Sequence, residues 1–208
     1  MSKRRARYLF FFEIVIWLVI LAGALVATAI GGIPPGAVPA AARTADAEAA
    51  VPEPEGYWTG AINGAVPASL RGGSVLRTQD LSALLKHDKV VLVDASNTPK
   101  RPEKLAPNAP WLPAPHPVIP GSLWIPGSGM GEIAPETDVL YREQLAAATA
   151  NNLDQPVVVY CHERCWLSYN AAKRAIGYGY RKVYWYPDGI EGWRAAGLAT
   201  STAPAIER

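Results

Sequence analysis

The segment 160–166 reads YCHERCW and holds both of the chain's cysteines, Cys161 and Cys165. Only His162, Glu163 and Arg164 separate them. A disulfide needs Cα atoms about 4.4–6.8 Å apart, a span that a curled loop of this length provides. Two cysteines cannot staple a disulfide-dense scaffold, so they read as a reactive pair or a single local bridge. The thiolate is the nucleophile, and it forms where the surroundings are polar or positive. Arg164 is a candidate anion clamp. Trp166, next after the pair, is a candidate shield for the thiols or a contact for a bound ring. Metal binding is disfavoured: His87 and His116 stand apart in the sequence, and a structural zinc wants four ligands. CHERC is also not the Cys-x-x-Cys-His of haem attachment, and no motif identifies a cofactor.

The elements that must position this pair follow from the pattern around it. QPVVVYC is a continuous β-branched run, predicting a buried parallel strand that ends at Cys161. SYNAAKRAIGYGY predicts a helix starting near Ser168, with Ser168 as its N-cap, and ending at Gly177 or Gly179. Cys161 therefore falls at the carboxyl end of a strand, in front of a helix N-terminus. Ligands bind at this edge of open α/β sheets, and backbone N–H groups there favour negative charge. Cys161 is expected to face a ring of loop N–H groups and to be the better stabilised thiolate, with Cys165 as its partner.

Elsewhere, TQDLSALLKHD predicts a short helix with Thr78 as N-cap candidate, and KVVLVDAS a second buried strand. Asp94, at the end of that strand, is either a brace or a site residue. Residues 96–117 are crowded with proline and predict an ordered or extended loop. VIPGSLWIPGSG gives a short strand and turns, PETDVLYREQLAAAT a helix and RKVYWYPDG a third strand. GIEGWRAAGL gives a short helical tail whose Trp193 should be buried. Strands alternating with helices define an α/β fold with a mostly parallel sheet.

The amino-terminal end has a different character. Lys3, Arg4, Arg5 and Arg7 precede an uncharged apolar run, Ile14–Ile30, and small residues follow. This is the layout of a secretory signal. The run is also long enough for an uncleaved anchor. Either form sends the rest of the chain across the membrane, with the basic residues kept inside. Any membrane contact is expected only through this segment. The organisation is thus a signal peptide or anchor over 1–30, an Ala/Pro/Gly-rich linker over 31–56, an irregular extension over 57–73 and one α/β domain over 74–200. Net charge is only +2, with no basic stripe or aromatic platform, which excludes nucleic acid as a partner.

The order of motifs resembles the rhodanese family. VVLVDAS is similar to the family's first core strand and its terminal Asp. VIPGSLWIP is similar to its His-Ile-Pro-Gly-Ala segment, and VVVYC to the strand that delivers the active cysteine. SYNAAKRAIGYGYRKVYWYPDGIEGW is similar to its tail. Through CWLSYNAAKRA and VYWYPDGIEGW the chain more narrowly resembles the PQQ-dependent catabolism-associated CXXCW motif proteins. That resemblance implies a rhodanese-like α/β domain, a periplasmic setting and an association with quinoprotein alcohol oxidation. Two departures matter. The cysteine lies seven residues before Ser168, one more than in a typical sulfurtransferase. Leu167 and Ser96 stand where arginines are usual, and neither can grip an oxyanion by a bidentate fork.

Three functions fit these residues. The pair could transfer sulfane sulfur, with Cys161 carrying a persulfide and Cys165 resolving it. It could exchange thiols and disulfides with a small thiol or a protein. Or the domain could be a non-catalytic accessory module for a PQQ-dependent dehydrogenase system. Arg164, Trp166, Ser168 and Asp94 are the candidate substrate- or anion-binding residues around Cys161 and Cys165.

Overall fold

Five strands line up in parallel to make the central sheet. Their spatial order is β1 (Ser74–Val75), β6 (Val183–Tyr186), β5 (Val157–Tyr160), β2 (Val91–Asp94) and β4 (Leu123–Trp124). Between them in sequence come α1 (Thr78–His87), α2 (Pro135–Thr149), α3 (Trp166–Gly177) and α4 (Gly189–Ala195). A short antiparallel pair, β3 (Pro117–Val118) with β7 (Ser201–Thr202), stands apart from the sheet. These features come from a computed structural model that describes residues 51–203. The signal or anchor over 1–30 and the linker up to residue 50 lie outside the described residues.

The β-branched runs became strands because both faces of each are covered. Val91, Val93, Val157, Val159 and Trp185 pack with residues of α2 and α3 in one core layer. Leu92, Val158, Tyr160 and Tyr186 pack with Leu81 of α1 and with Ile190 and Trp193 of α4 in the other. Trp193 is 7% exposed, as its position in the tail predicted. The period of two sorts the strand ends as well. Asp94 is paired in register with Tyr160, and the Ala95 amide donates to the Tyr160 carbonyl at 2.9 Å. Ala95 and Cys161 lie in the first layer, whereas Tyr160 lies in the second.

Three local expectations need correction. α1 is capped by Arg77, because the Asp188 carboxylate accepts from the Thr78 amide at 3.2 Å and Thr78 is already helical. α3 begins at Trp166 with Cys165 as its N-cap, so Ser168 sits inside the first turn. Residues 51–56 belong to the folded body. Lys173 Nζ donates to the carbonyls of Pro54, Glu55 and Gly56 at 2.6–2.8 Å. Glu53 accepts from the Ser69 hydroxyl, from the Arg71 amide at 2.7 Å and from the Tyr169 hydroxyl at 3.1 Å.

Candidate functional site

Cys161 and Cys165 are joined in a disulfide, with Cα atoms 6.2 Å apart. The bond closes the loop between β5 and α3, and both residues are buried, at 0% and 1% exposure. The loop is fixed from below and from above. Below it, Gly189 opens α4 at φ +61°, and the Ile190 amide donates to the Cys161 carbonyl at 2.9 Å. A Cβ on Gly189 would lie 2.4 Å from the His162 carbonyl carbon, so the close approach needs glycine. Arg164, at the turn of the loop, adopts φ +54°.

The expected ring of free amides facing Cys161 is in part already engaged. The Glu163 amide donates to the Glu191 carboxylate at 2.8 Å, and the Arg164 amide to the Pro187 carbonyl at 3.2 Å. The Trp166 amide donates to the Ile62 carbonyl at 2.8 Å. These three donors are spent on other parts of the chain. Part of the donor set at the helix N-terminus behind the disulfide is therefore already engaged.

His162 and Glu191 form a pair on the exposed side of the loop. Their Nδ1 and Oε1 atoms are 2.8 Å apart, and each side chain is about half exposed. Burial pushes the Glu191 carboxyl up, but the bonds from His162 and from the Glu163 amide outweigh it and hold it below its ordinary value. The pairing was not legible in the sequence, because 29 positions separate the two residues.

Trp166 is 2% exposed, and its ring is stacked on Trp58 at 4.3 Å and edge-on to Tyr169. Trp58 belongs to the extension before β1, which crosses the top of the cysteine loop as a strap. Asn63 forms an antiparallel bridge with Cys165, and the Gly64 amide donates to the Arg164 carbonyl at 3.0 Å. Asn170 of α3 clamps the strap's backbone. Its Oδ1 accepts from the Trp58 amide and its Nδ2 donates to the Trp58 carbonyl, both at 2.9 Å. Beside the strap lies a cleft of about 300 Å³, lined by Trp58, Ile62, Met130, Trp166, Leu167 and Asn170 among others. No sequence signal marked the strap beyond its irregular composition.

Ser168 lies wholly inside. Its hydroxyl donates to the Cys165 carbonyl and accepts from Trp185 Nε1, both at 3.0 Å. Asp94 is 1% exposed, and the alternation along β2 turns it to the face opposite Cys161. There its Oδ1 accepts from the Ser96 amide at 2.8 Å, and its Oδ2 meets His116 Nε2 at 2.8 Å. His116, isolated in the sequence, is stacked on Trp124 at 4.1 Å. Trp124 Nε1 donates to the Ser96 carbonyl at 2.7 Å. Leu167 is 2% exposed, its backbone lies against Gly129, and it contributes to the wall of the cleft beside the strap. Among the described residues, no group of three or more His, Cys, Asp or Glu side chains could hold a metal ion, and no helix is long and apolar enough to cross a membrane.

An α/β domain with a cysteine pair at the carboxyl end of its middle strand is the class defined by this fold and site. The rhodanese-like domain model matches residues 77–196, more than half of the chain, and the chain belongs to that family. No curated protein matches it. Solved structures similar to it include a thiosulfate sulfurtransferase from Pseudomonas aeruginosa, at 20% identity and a TM-score of 0.41. That match covers 65% of this chain and 22% of the other, so the chain spans only about a fifth of that protein's length. An uncharacterized protein from Saccharomyces cerevisiae matches at 20% identity and a TM-score of 0.37, covering 60% of this chain and 92% of that one. A polysulfide-sulfur transferase homodimer from Wolinella succinogenes matches at 19% identity and a TM-score of 0.39, covering 66% and 85%.

Proposed function

We propose that this chain is a thiol–disulfide redox protein built on a rhodanese-like frame, with Cys161 and Cys165 as its working pair. The observation that carries the reading is the disulfide closing the loop at the strand end. The three engaged loop amides and a leucine rather than an arginine at 167 support redox exchange over capture of a sulfur oxyanion, which a guanidinium fork would grip. On reduction the pair accepts two electrons. Cys161 is the thiolate that leaves and returns, and Cys165 is its partner. The basic start and apolar run of residues 1–30 support work outside the cytoplasm, where a disulfide persists. The resemblance in the CW and YPDGIEGW segments supports a place beside PQQ-dependent alcohol oxidation.

The test is a redox titration with a small dithiol followed by alkylation and intact mass. Two thiols should appear together as one two-electron couple, and Cys161→Ser should abolish exchange. A pair that stays oxidised, or thiols that appear independently, would sink the reading. Family membership favours a second reading, sulfur transfer through a Cys161 persulfide resolved by Cys165. Incubating the reduced protein with a sulfane-sulfur donor and finding one added sulfur on Cys161 would favour it. Cell fractionation with sequencing of the amino terminus tests location: cytosolic protein with Met1 intact contradicts it. Slowed growth of a deletion strain on alcohols, and not on sugars, is the outcome expected of the PQQ association.

A further inference from the structure

The strap shows how a polypeptide sits against the disulfide. Ile62 and Gly64 bond to Trp166 and Arg164 on either side of the Asn63–Cys165 pair. This makes Asn63 and Cys165 a non-hydrogen-bonded antiparallel pair, the kind whose Cα atoms come within about 4.5 Å and whose side chains lie closest. That spacing is within the reach of a disulfide. A cysteine at the position of Asn63 would therefore bring its sulfur beside that of Cys165. One further anchor reads backbone rather than sequence. Asn170 grips the amide and carbonyl of residue 58, as a neighbouring strand would. Two anchors prefer aromatic side chains: the Trp166 ring stacks on the residue five positions before the one facing Cys165, and the Arg174 guanidinium lies over the Tyr57 ring at 4.0 Å. The strap lies on the surface. Tyr57, Ile62 and Asn63 are exposed, although the disulfide beneath is not.

We infer that the strap occupies a substrate groove, and that the substrate is a flexible polypeptide dithiol whose attacking cysteine lies five residues after an aromatic residue. This rests on the redox reading and names its substrate class. The strap lifts and the incoming segment takes its place. The substrate thiol gives up its proton and its sulfur attacks Sγ of Cys165. The Cys161–Cys165 bond breaks, its electron pair goes to Cys161, and the released proton neutralises that thiolate. The substrate's second thiol then attacks the mixed disulfide and frees Cys165. The substrate gains a disulfide, and the protein's disulfide becomes two thiols. Two electrons move and no further oxidant enters this half-reaction.

The probe is a peptide of residues 57–66 with Asn63 replaced by cysteine, compared with a scrambled peptide of the same composition and with 2-mercaptoethanol. The full-length protein is used, and adducts are mapped by mass. The strap peptide should form its mixed disulfide on Cys165 about tenfold faster than the scrambled one. Trp58→Ala in the protein loosens the competing strap and should widen that preference. Gly64→Pro, which removes the amide bonded to Arg164, serves the same purpose if Trp58→Ala misfolds. Equal rates for both peptides, an adduct on Cys161, or acceleration of 2-mercaptoethanol as large as that of the peptide would overturn the groove. If no thiol of any kind opens the disulfide in the loosened variants, the redox reading itself fails, a separate result.

Discussion

β2 and β5 are neighbours, and each delivers a chemically capable residue to the same edge of the sheet. On β5 it is Cys161, and on β2 it is Asp94. The two differ in what their surroundings allow. Cys161 is buried in a covalent bond beneath a strap held by a few backbone contacts and two ring contacts. Asp94 is buried with both oxygens engaged, one by the Ser96 amide and one by His116, which is itself packed on Trp124. An Asp, a His and a Ser within one cluster look like machinery by residue type. Here they tie the proline-rich loop to the end of β2, on the face turned away from the thiols. Residue type alone does not distinguish a latch from a site. What covers the group, and how easily that cover leaves, does.

The largest expected effect breaks the latch. Asp94→Ala leaves the buried Ser96 amide and the largely buried His116 ring without their acceptor. Stability should fall by about 3 kcal/mol, since bonds to charged groups and stranded donors each cost on the order of 1–3 kcal/mol. The rate of thiol exchange, measured on folded protein, should stay unchanged. A matching fall in exchange rate would join the two strand ends into one site. Next comes Gly189→Ala, aimed at the loop from below. The positive φ and the 2.4 Å approach to His162 both resist a side chain. Overpacking of this kind costs about 1–3 kcal/mol, and the Cys161–Glu163 backbone must move to relieve it. Exchange should change here where Asp94→Ala left it alone. A neutral Gly189→Ala in both urea unfolding and exchange would show that the loop is not held by this contact.

The same contrast explains what the sequence disclosed. The strands were legible because VVLVD and VVVY are continuous β-branched runs, and burial on both faces leaves no other use for them. Cys161 at a strand end followed directly. The loop was not legible, because three of the amides in and beside it are claimed by Ile62, Pro187 and Glu191, whose positions in space depend on the finished fold. Ser168 looked like an N-cap, but Cys165 already fills that position and the Ser168 hydroxyl bonds back to it. His116 looked isolated because the proline loop separates it from Asp94 by 22 positions. The strap has neither helical nor strand periodicity, so no pattern marked it. It is held by Asn170, which the sequence reading placed in a helix and gave no role.

A smaller effect sharpens the latch from within. The Ser96 hydroxyl is buried and has no hydrogen-bond partner. Ser96→Ala removes that unsatisfied group and keeps the amide bond to Asp94. Stability should rise by about 1 kcal/mol, the order of the desolvation cost recovered. Loss of stability in a urea titration would mean that the hydroxyl has a partner and that the latch extends further than Asp94, His116 and Trp124.

The smallest expected effect lies on the thiol side and is read through pH. Glu191 is held below its ordinary carboxyl value by His162 and the Glu163 amide. A carboxylate whose pKa is lower in the folded state stabilises that state above its unfolded value, about 4.3, and loses the effect as pH falls through the lowered folded value. Glu191→Gln should therefore be less stable than the wild type at neutral pH, and the two should converge on acidification below about pH 4.3. The side chain is 47% exposed, so solvent screening keeps the difference under about 1 kcal/mol. The exchange rate gives the second readout. Glu191 holds both His162 and the Glu163 amide, and without its charge the loop between the cysteines loosens. Exchange should change at neutral pH and match the wild type in acid, whereas Asp94→Ala should leave it unchanged at every pH. Exchange in Glu191→Gln that tracks the wild type throughout would show that the loop owes its shape to Gly189 and the strap alone.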